Sequence, residues 1–175
     1  MPRIIQHQGE PLQWLQSLGF NAVKFNASPS PALLKEAQQL GLWIVAPPPF
    51  ADESAPPPEA FRPVLAWSLG SRLVDRDVPY TRDLAADVRS IDPQRQRPLL
   101  AGADCELAEY SRLASLLLVD RRTSATSFEL GETRDWLKDR TRLARPGTPF
   151  CGVLHTQRSA SIRFLPPCGP MCCDC

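Results

Sequence analysis

The sequence predicts a parallel α/β protein, and two observations carry that expectation. The first is a recurring phrase, Leu-Gly followed by an apolar run. It occurs as Leu18-Gly19-Phe20-Asn21-Ala22-Val23-Lys24-Phe25 and as Leu40-Gly41-Leu42-Trp43-Ile44-Val45-Ala46. In each phrase a helical pattern stops at the glycine and a strand begins at once. The interval between the two glycines holds one strand and one helix, the period of a chain winding around a parallel sheet. The second observation is that the strands read as continuous apolar runs, as strands buried on both faces do.

The elements follow in order. Arg3–Ile5 reads as a weak first strand. Pro11–Leu18 is a short helix with Leu12, Leu15 and Leu18 on one face and Pro11 suited to its first turn. Asn21–Phe25 is the second strand. Ser30-Pro31 is a helix start, an N-cap hydroxyl followed by proline at the first helical position. Leu33, Leu34, Ala37 and Leu40 form the buried stripe of that helix, and Gly41 stops it. Leu42–Ala46 is the third strand. Pro47–Pro58 then breaks the rhythm with two proline triplets, a long and partly polyproline loop where the alternation calls for a helix. Val64–Leu69 is a strand. Thr81 is positioned to cap a helix bearing Leu84, Val88 and Ile91 at helical spacing. Pro98–Ala101 is a strand, and Asp104 can cap a helix carrying Leu107, Tyr110 and Ala114. Leu116–Val119 is a strand. Thr133 can cap a helix carrying Trp136, Leu137 and Leu143, and Pro149–His155 is the last strand. Trp14, Trp43 and Trp136 read as core or helix–sheet packing residues.

About seven parallel strands fit either an open doubly wound sheet or a (β/α)8 barrel. The chain of 175 residues is long enough for one domain with a sizeable core. Residues 1–157 carry the α/β pattern, with the Pro-rich loop 47–58 inside it. The net charge of +1 gives no electrostatic footprint for nucleic acid or an anionic membrane. No apolar run approaches the ~18 residues of a membrane-spanning helix. The first residues lack the apolar core of a signal peptide, which makes the cytoplasm the default location unless the true start lies upstream. No Gly-x-Gly-x-x-Gly, Walker loop, Gly-x-Ser-x-Gly or His-Glu-x-x-His is present, and neither a cofactor nor a metal is expected.

Val64-Leu65-Ala66-Trp67-Ser68-Leu69-Gly70-Ser71-Arg72 resembles the fourth strand of the clan A glycoside hydrolases. In that family the strand reads apolar-apolar-x-Trp-x-x-Gly-Asn-Glu. WLQSLGFNAVKF and LLKEAQQLGLWIVAPPP are similar to the family's second and third barrel segments, and RPGTPFCGVLHTQ to its seventh strand. The resemblance spans roughly residues 3–157. It implies an incomplete (β/α) barrel with the eighth unit missing, since a complete barrel usually needs more than about 200 residues. It also implies a carbohydrate ligand.

The departures bear on activity. Retaining glycosidases use two carboxylates about 5–5.5 Å apart, one as acid/base and one as nucleophile. Where the resemblance places Asn and the acid/base Glu, this chain has Ser71 and Arg72, and a guanidinium does not release a proton near neutral pH. Where it places the nucleophilic Glu, the nearest match is Gln157, an amide. Both usual carboxylates are thus replaced, and no complete catalytic constellation is left. The substrate-binding candidates at the strand ends are Lys24, Trp67, Ser71, Arg72 and Gln157. Trp67 can stack on a sugar ring, and its plainer role is core packing. Asp104, Asp120 and His155 are the remaining candidates for acid/base chemistry of another kind. Against these stand a helix cap for Asp104, an ion pair with Arg121 or Arg122 for Asp120, and a packed histidine for His155. Glu129 reads as a solvated loop residue. Cys105 and Cys151 read as buried structural thiols.

From residue 158 the periodicity stops. Residues 158–175 read as an unstructured tail in which Cys168, Cys172, Cys173 and Cys175 crowd together. Four thiolates can bind a soft metal, but Cys-x3-Cys-Cys-x-Cys fits no structural zinc spacing. A tail without selected structure, such as a frame-shifted or truncated gene leaves, is the simpler reading. Three functions remain: a glycosidase-like barrel that binds carbohydrate, a non-enzymatic interaction module or incomplete gene product, and a different α/β enzyme built on Asp104, Asp120 and His155. An unclosed barrel presents edge strands, so marginal stability or self-association is expected.

Overall fold

The computed structural model describes residues 2–49, 61–92, 97–121 and 130–153. Seven strands form one sheet in sequence order: β1 (Ile4–Gln6), β2 (Ala22–Lys24), β3 (Trp43–Ala46), β4 (Val64–Leu73), β5 (Leu99–Ala103), β6 (Leu116–Asp120) and β7 (Phe150–Val153). Every neighbouring pair is parallel. Helices α1 (Leu12–Ser17), α2 (Pro31–Leu40), α3 (Val78–Ile91), α4 (Leu107–Leu113) and α5 (Leu130–Arg142) lie between the strands. Strand order equal to chain order is that of a barrel, not of a doubly wound sheet with a reversal point. The sheet is an open, curled half-barrel: among the described residues β1 and β7 are its two edges and do not pair with each other.

The two faces of the sheet carry separate apolar clusters. The outer layer, against the helices, is the larger. It joins Val23, Ile44, Val64, Trp67, Leu99, Ala101, Leu117 and Val119 to Leu12, Leu15, Leu34, Ala85, Val88 and Tyr110 from the helices. The inner layer is small: Val45, Ala66 and Leu100, with half-buried Leu116 and Leu118 against them. Register ties the inner face together, because parallel partners point to the same side. Lys24 pairs with Val45, Val45 with Ala66, and Leu100 with both Ser68 and Leu116.

Several helix boundaries obey local chemistry. The Ser30 hydroxyl accepts from the Leu33 N–H, with Pro31 opening α2 and Gly41 closing it at φ 66°. Others differ from the sequence expectation. Helix α3 starts at Val78, not after Thr81. The Thr81 hydroxyl donates back to the Asp77 carbonyl at 2.8 Å from inside the helix. The start moves because a 3-10 turn at Asp75–Asp77 leads into the helix, with the Asp77 carboxylate accepting from the Val74 N–H. Asp104 caps nothing. Glu106, at φ 49°, precedes α4, and Asp104 instead donates its backbone N–H to the Leu73 carbonyl. Thr133 lies inside α5 rather than at its start. Trp14 and Trp43 are about half exposed, at 52% and 49%, so neither is the packing residue that its apolar context suggests. Cys105 and Cys151 are free, half-buried thiols, and burial raises the pKa of both.

The largest difference is β4. Its apolar run predicts an end at Leu69, yet the strand continues to Leu73. Two register shifts against β5 absorb the extra length, one between Ser68 and Gly70 and one between Gly70 and Leu73. Such bulges bend a strand and re-aim its side chains. Most of the Pro-rich loop 47–58, Glu129, His155, Gln157 and the Cys-rich tail lie outside the described residues.

Candidate functional site

The C-terminal ends of the strands carry two polar groups of side chains. The first lies on the inner face. Lys24 ends β2 and is only 8% exposed. Its Nζ donates to the Ser71 Oγ at 3.0 Å and to the Asn26 Oδ1 at 3.4 Å. Burial lowers the pKa of this amine, because desolvation penalises the ammonium form. Among the described residues no carboxylate forms an ion pair with it. Lys24 and Ser71 are 47 residues apart in sequence, and the second β4 bulge brings them together.

That bulge is held firmly. Gly70 sits at φ 148° and Arg72 at φ 60°, where a side chain other than glycine's costs roughly 1–2 kcal/mol. Gly102 on β5 faces it so closely that an added Cβ would meet the Gly70 oxygen and the Ser71 Cα, each at 3.0 Å. Beyond Leu73 the exit is clamped by Tyr110, wholly buried, whose hydroxyl donates to the Val74 carbonyl at 2.6 Å. Strained backbone held by its surroundings is a recurring property of functional sites.

The second group is a cleft of about 270 Å3 at the ends of β5 and β6, lined by Ala103, Asp104, Val119, Asp120, Arg121, Trp136 and Arg140. Trp136 is covered by two guanidinium groups, those of Arg121 at 5.4 Å and Arg140 at 5.3 Å from the ring centre. The Arg72 guanidinium lies 4.0 Å from the Asp104 carboxylate, both well exposed, a separation that contributes little to stability. Asp104 and Asp120 therefore line one cleft, while His155, the third residue of that expectation, lies outside the described residues. Trp136 and Arg140 were not legible as site residues. Their spacing of four on one helix face was the available signal.

Trp67 belongs to neither group. It is 3% exposed and lies toward the start of β4, where it pairs in register with Leu99. Its Nε1 donates to the Asp92 carboxylate at 3.1 Å, Arg97 covers its ring at 5.4 Å, and Phe61 meets it edge-on at 5.5 Å. Arg97 in turn is ion-paired with Asp92 and donates to the carbonyls of Phe61 and Val64. The sugar-stacking expectation for Trp67 gives way to core packing, because its ring is already occupied.

Among the described residues no group of His, Cys, Asp and Glu has metal-binding geometry. No helix among them is long and apolar enough to cross a membrane.

The fold defines a class, an open and incomplete (β/α)-barrel sheet, and solved structures share that fold. A β-D-glucuronidase from Dictyoglomus thermophilum superposes with a TM-score of 0.58 at 17% identity, over 75% of this chain and 29% of that one. A β-glucuronidase from Ruminococcus gnavus, in complex with D-glucuronic acid, gives 0.56 at 17%, over 75% and 27%. A glycosyl hydrolase family 2 member from Bacteroides cellulosilyticus gives 0.53 at 17%, over 75% and 19%. The chain thus spans less than a third of the length of each. No protein-family model and no curated protein sequence matches it. At this identity the likeness establishes the fold.

Proposed function

We propose that the chain is a glycosidase-like half-barrel that binds carbohydrate at its strand ends and does not cleave glycosidic bonds by the two-carboxylate route. One observation carries the reading: the end of β4, where the resemblance calls for Asn-Glu, holds Ser71 turned to Lys24 and Arg72 in a left-handed conformation. A guanidinium has no proton to give at neutral pH. Gln157, the counterpart of the nucleophile in the resemblance, is an amide. Lys24, Ser71, Arg72 and Gln157 would then act as hydrogen-bond donors to sugar hydroxyls or to a sugar carboxylate. The Ruminococcus gnavus neighbour in complex with D-glucuronic acid makes that acid the first ligand to try.

The test pairs an aryl β-glucuronide turnover assay with ligand-observed NMR on D-glucuronic acid. The expected result is hydrolysis at the buffer rate together with saturation transfer that weakens in Arg72→Ala. Turnover that Arg72→Ala abolishes overturns the inactive reading. Absence of transfer from glucuronic acid, glucose and galactose at millimolar concentration overturns the binding reading.

A second reading has its own observation in favour. Asp104 and Asp120 line one cleft with two guanidinium groups, the arrangement an acid/base enzyme of another class would use. His155, its third member, lies outside the described residues. Self-association through the edges of β1 and β7 is compatible with either reading, and sedimentation at micromolar concentration reports it.

A further inference from the structure

Lysine is scarce in this chain, occurring only at 24, 35 and 138. Lys35 and Lys138 are exposed, and Lys138 pairs with Asp135 at 3.8 Å. Lys24 differs from both. It sits on the inner face of the sheet, 8% exposed, beside the clamped bulge of β4. Its partners among the described residues are a hydroxyl and an amide oxygen, both neutral. A buried ammonium needs a counter-charge, whereas a neutral amine is satisfied by such partners. The position also lies at the strand ends, where folds of this kind hold their ligands.

We propose that Lys24 is a nucleophilic amine that forms an imine with small aldehydes. The Nζ lone pair attacks the carbonyl carbon. A C–N bond forms, the carbonyl π bond breaks, and the oxygen takes up the proton that nitrogen gives up, yielding a carbinolamine. The carbinolamine then loses its hydroxyl as water, and the second nitrogen proton goes with it. One amine and one aldehyde give one imine and one water, with no oxidant or reductant. Ser71, 3.0 Å from Nζ, is placed to relay the proton from nitrogen to oxygen. Asn26 accepts from the amine and orients it. Desolvation supports the assignment by favouring the unprotonated form of this lysine over the exposed pair.

The inference does not depend on sugar binding, and its test uses an aldehyde too short to close a sugar ring. The full chain is treated at neutral pH with glycolaldehyde and cyanoborohydride, which reduces any imine to a stable secondary amine, and adducts are mapped by mass spectrometry. The expected result is at least tenfold more adduct on Lys24 than on Lys35 or Lys138, with the preference falling to about one in urea. Lys24→Arg should remove the favoured adduct. Equal labelling of the three lysines in the native protein overturns the proposal. A Lys24 preference that survives in urea overturns it as well, since the fold would then not be its cause.

Discussion

The centre of the sheet and its edges are made from the same kind of apolar segment and end in different environments. All five residues of β5 and all three of β2 are buried. In β1 the pattern is half-buried, half-buried, exposed, and β7 has no fully buried residue. The strands at the centre are packed between helices and the inner cluster. Those at the edges have a neighbour on one side only among the described residues. The polar strand ends follow the same division. The Lys24–Ser71 contact joins β2 to β4, and the strained bulge at Arg72 lies where β4 packs against β5, well inside the sheet. A backbone in an unfavourable conformation persists only where the surroundings over-determine it.

The sharpest way to break this comparison is to remove equivalent side chains from the two regions. Ile44 on β3 is 0% exposed, whereas Ile5 on β1 is half-buried against the same cluster. Ile44→Ala should cost about 2–5 kcal/mol. Ile5→Ala should cost less than half of whatever Ile44→Ala costs in the same urea titration. Equal losses would show that the edge is packed as tightly as the centre.

A smaller effect is expected where β4 and β5 touch. Gly102→Ala places a methyl group 3.0 Å from two backbone atoms of the bulge, neither of which is the free end of a side chain. The expected cost is about 1–3 kcal/mol, as for overpacking elsewhere. The saturation transfer attributed to the strand ends should weaken with it, because the methyl displaces Ser71. A neutral effect on stability would mean that the bulge can shift freely.

The smallest effect is a dependence on pH. The folded state lowers the pKa of Lys24 below the ordinary lysine value of about 10.4. Between the lowered value and the ordinary one, the unfolded chain binds more protons, so stability rises with pH across that window. Lys24→Met removes this gain. Wild type should therefore become more stable relative to Lys24→Met as pH is raised through the alkaline range, read by chemical denaturation at successive pH values. Cys105, Cys151 and Tyr110 have raised pKa values and act in the opposite sense, but they are common to both proteins and cancel in the difference. A difference independent of pH would place the Lys24 amine in water.

What could be read from the sequence was whatever depends on near neighbours. The Ser30-Pro31 start and Gly41 stop of α2 are local capping chemistry, and they stand where expected. The order of helices and strands follows from the apolar runs and the glycines between them, and so does parallel pairing. Lys24, Ser71 and Arg72 were found as strand-end residues because strand ends can be counted. The sequence did not reveal that β4 runs on to Leu73, since Gly70-Ser71-Arg72 has the composition of a turn. Only the pairing with β5 makes those residues a bulge. It did not separate Trp67 from a ligand-stacking tryptophan, because Asp92 and Arg97 reach the ring from 25 and 30 residues away. Nor did it show Asp104 and Asp120 in one cleft under Trp136 and Arg140. Short-range sterics and hydrogen bonds determined the elements. The meeting of groups distant in the chain was decided by register and curl, which belong to the folded sheet as a whole.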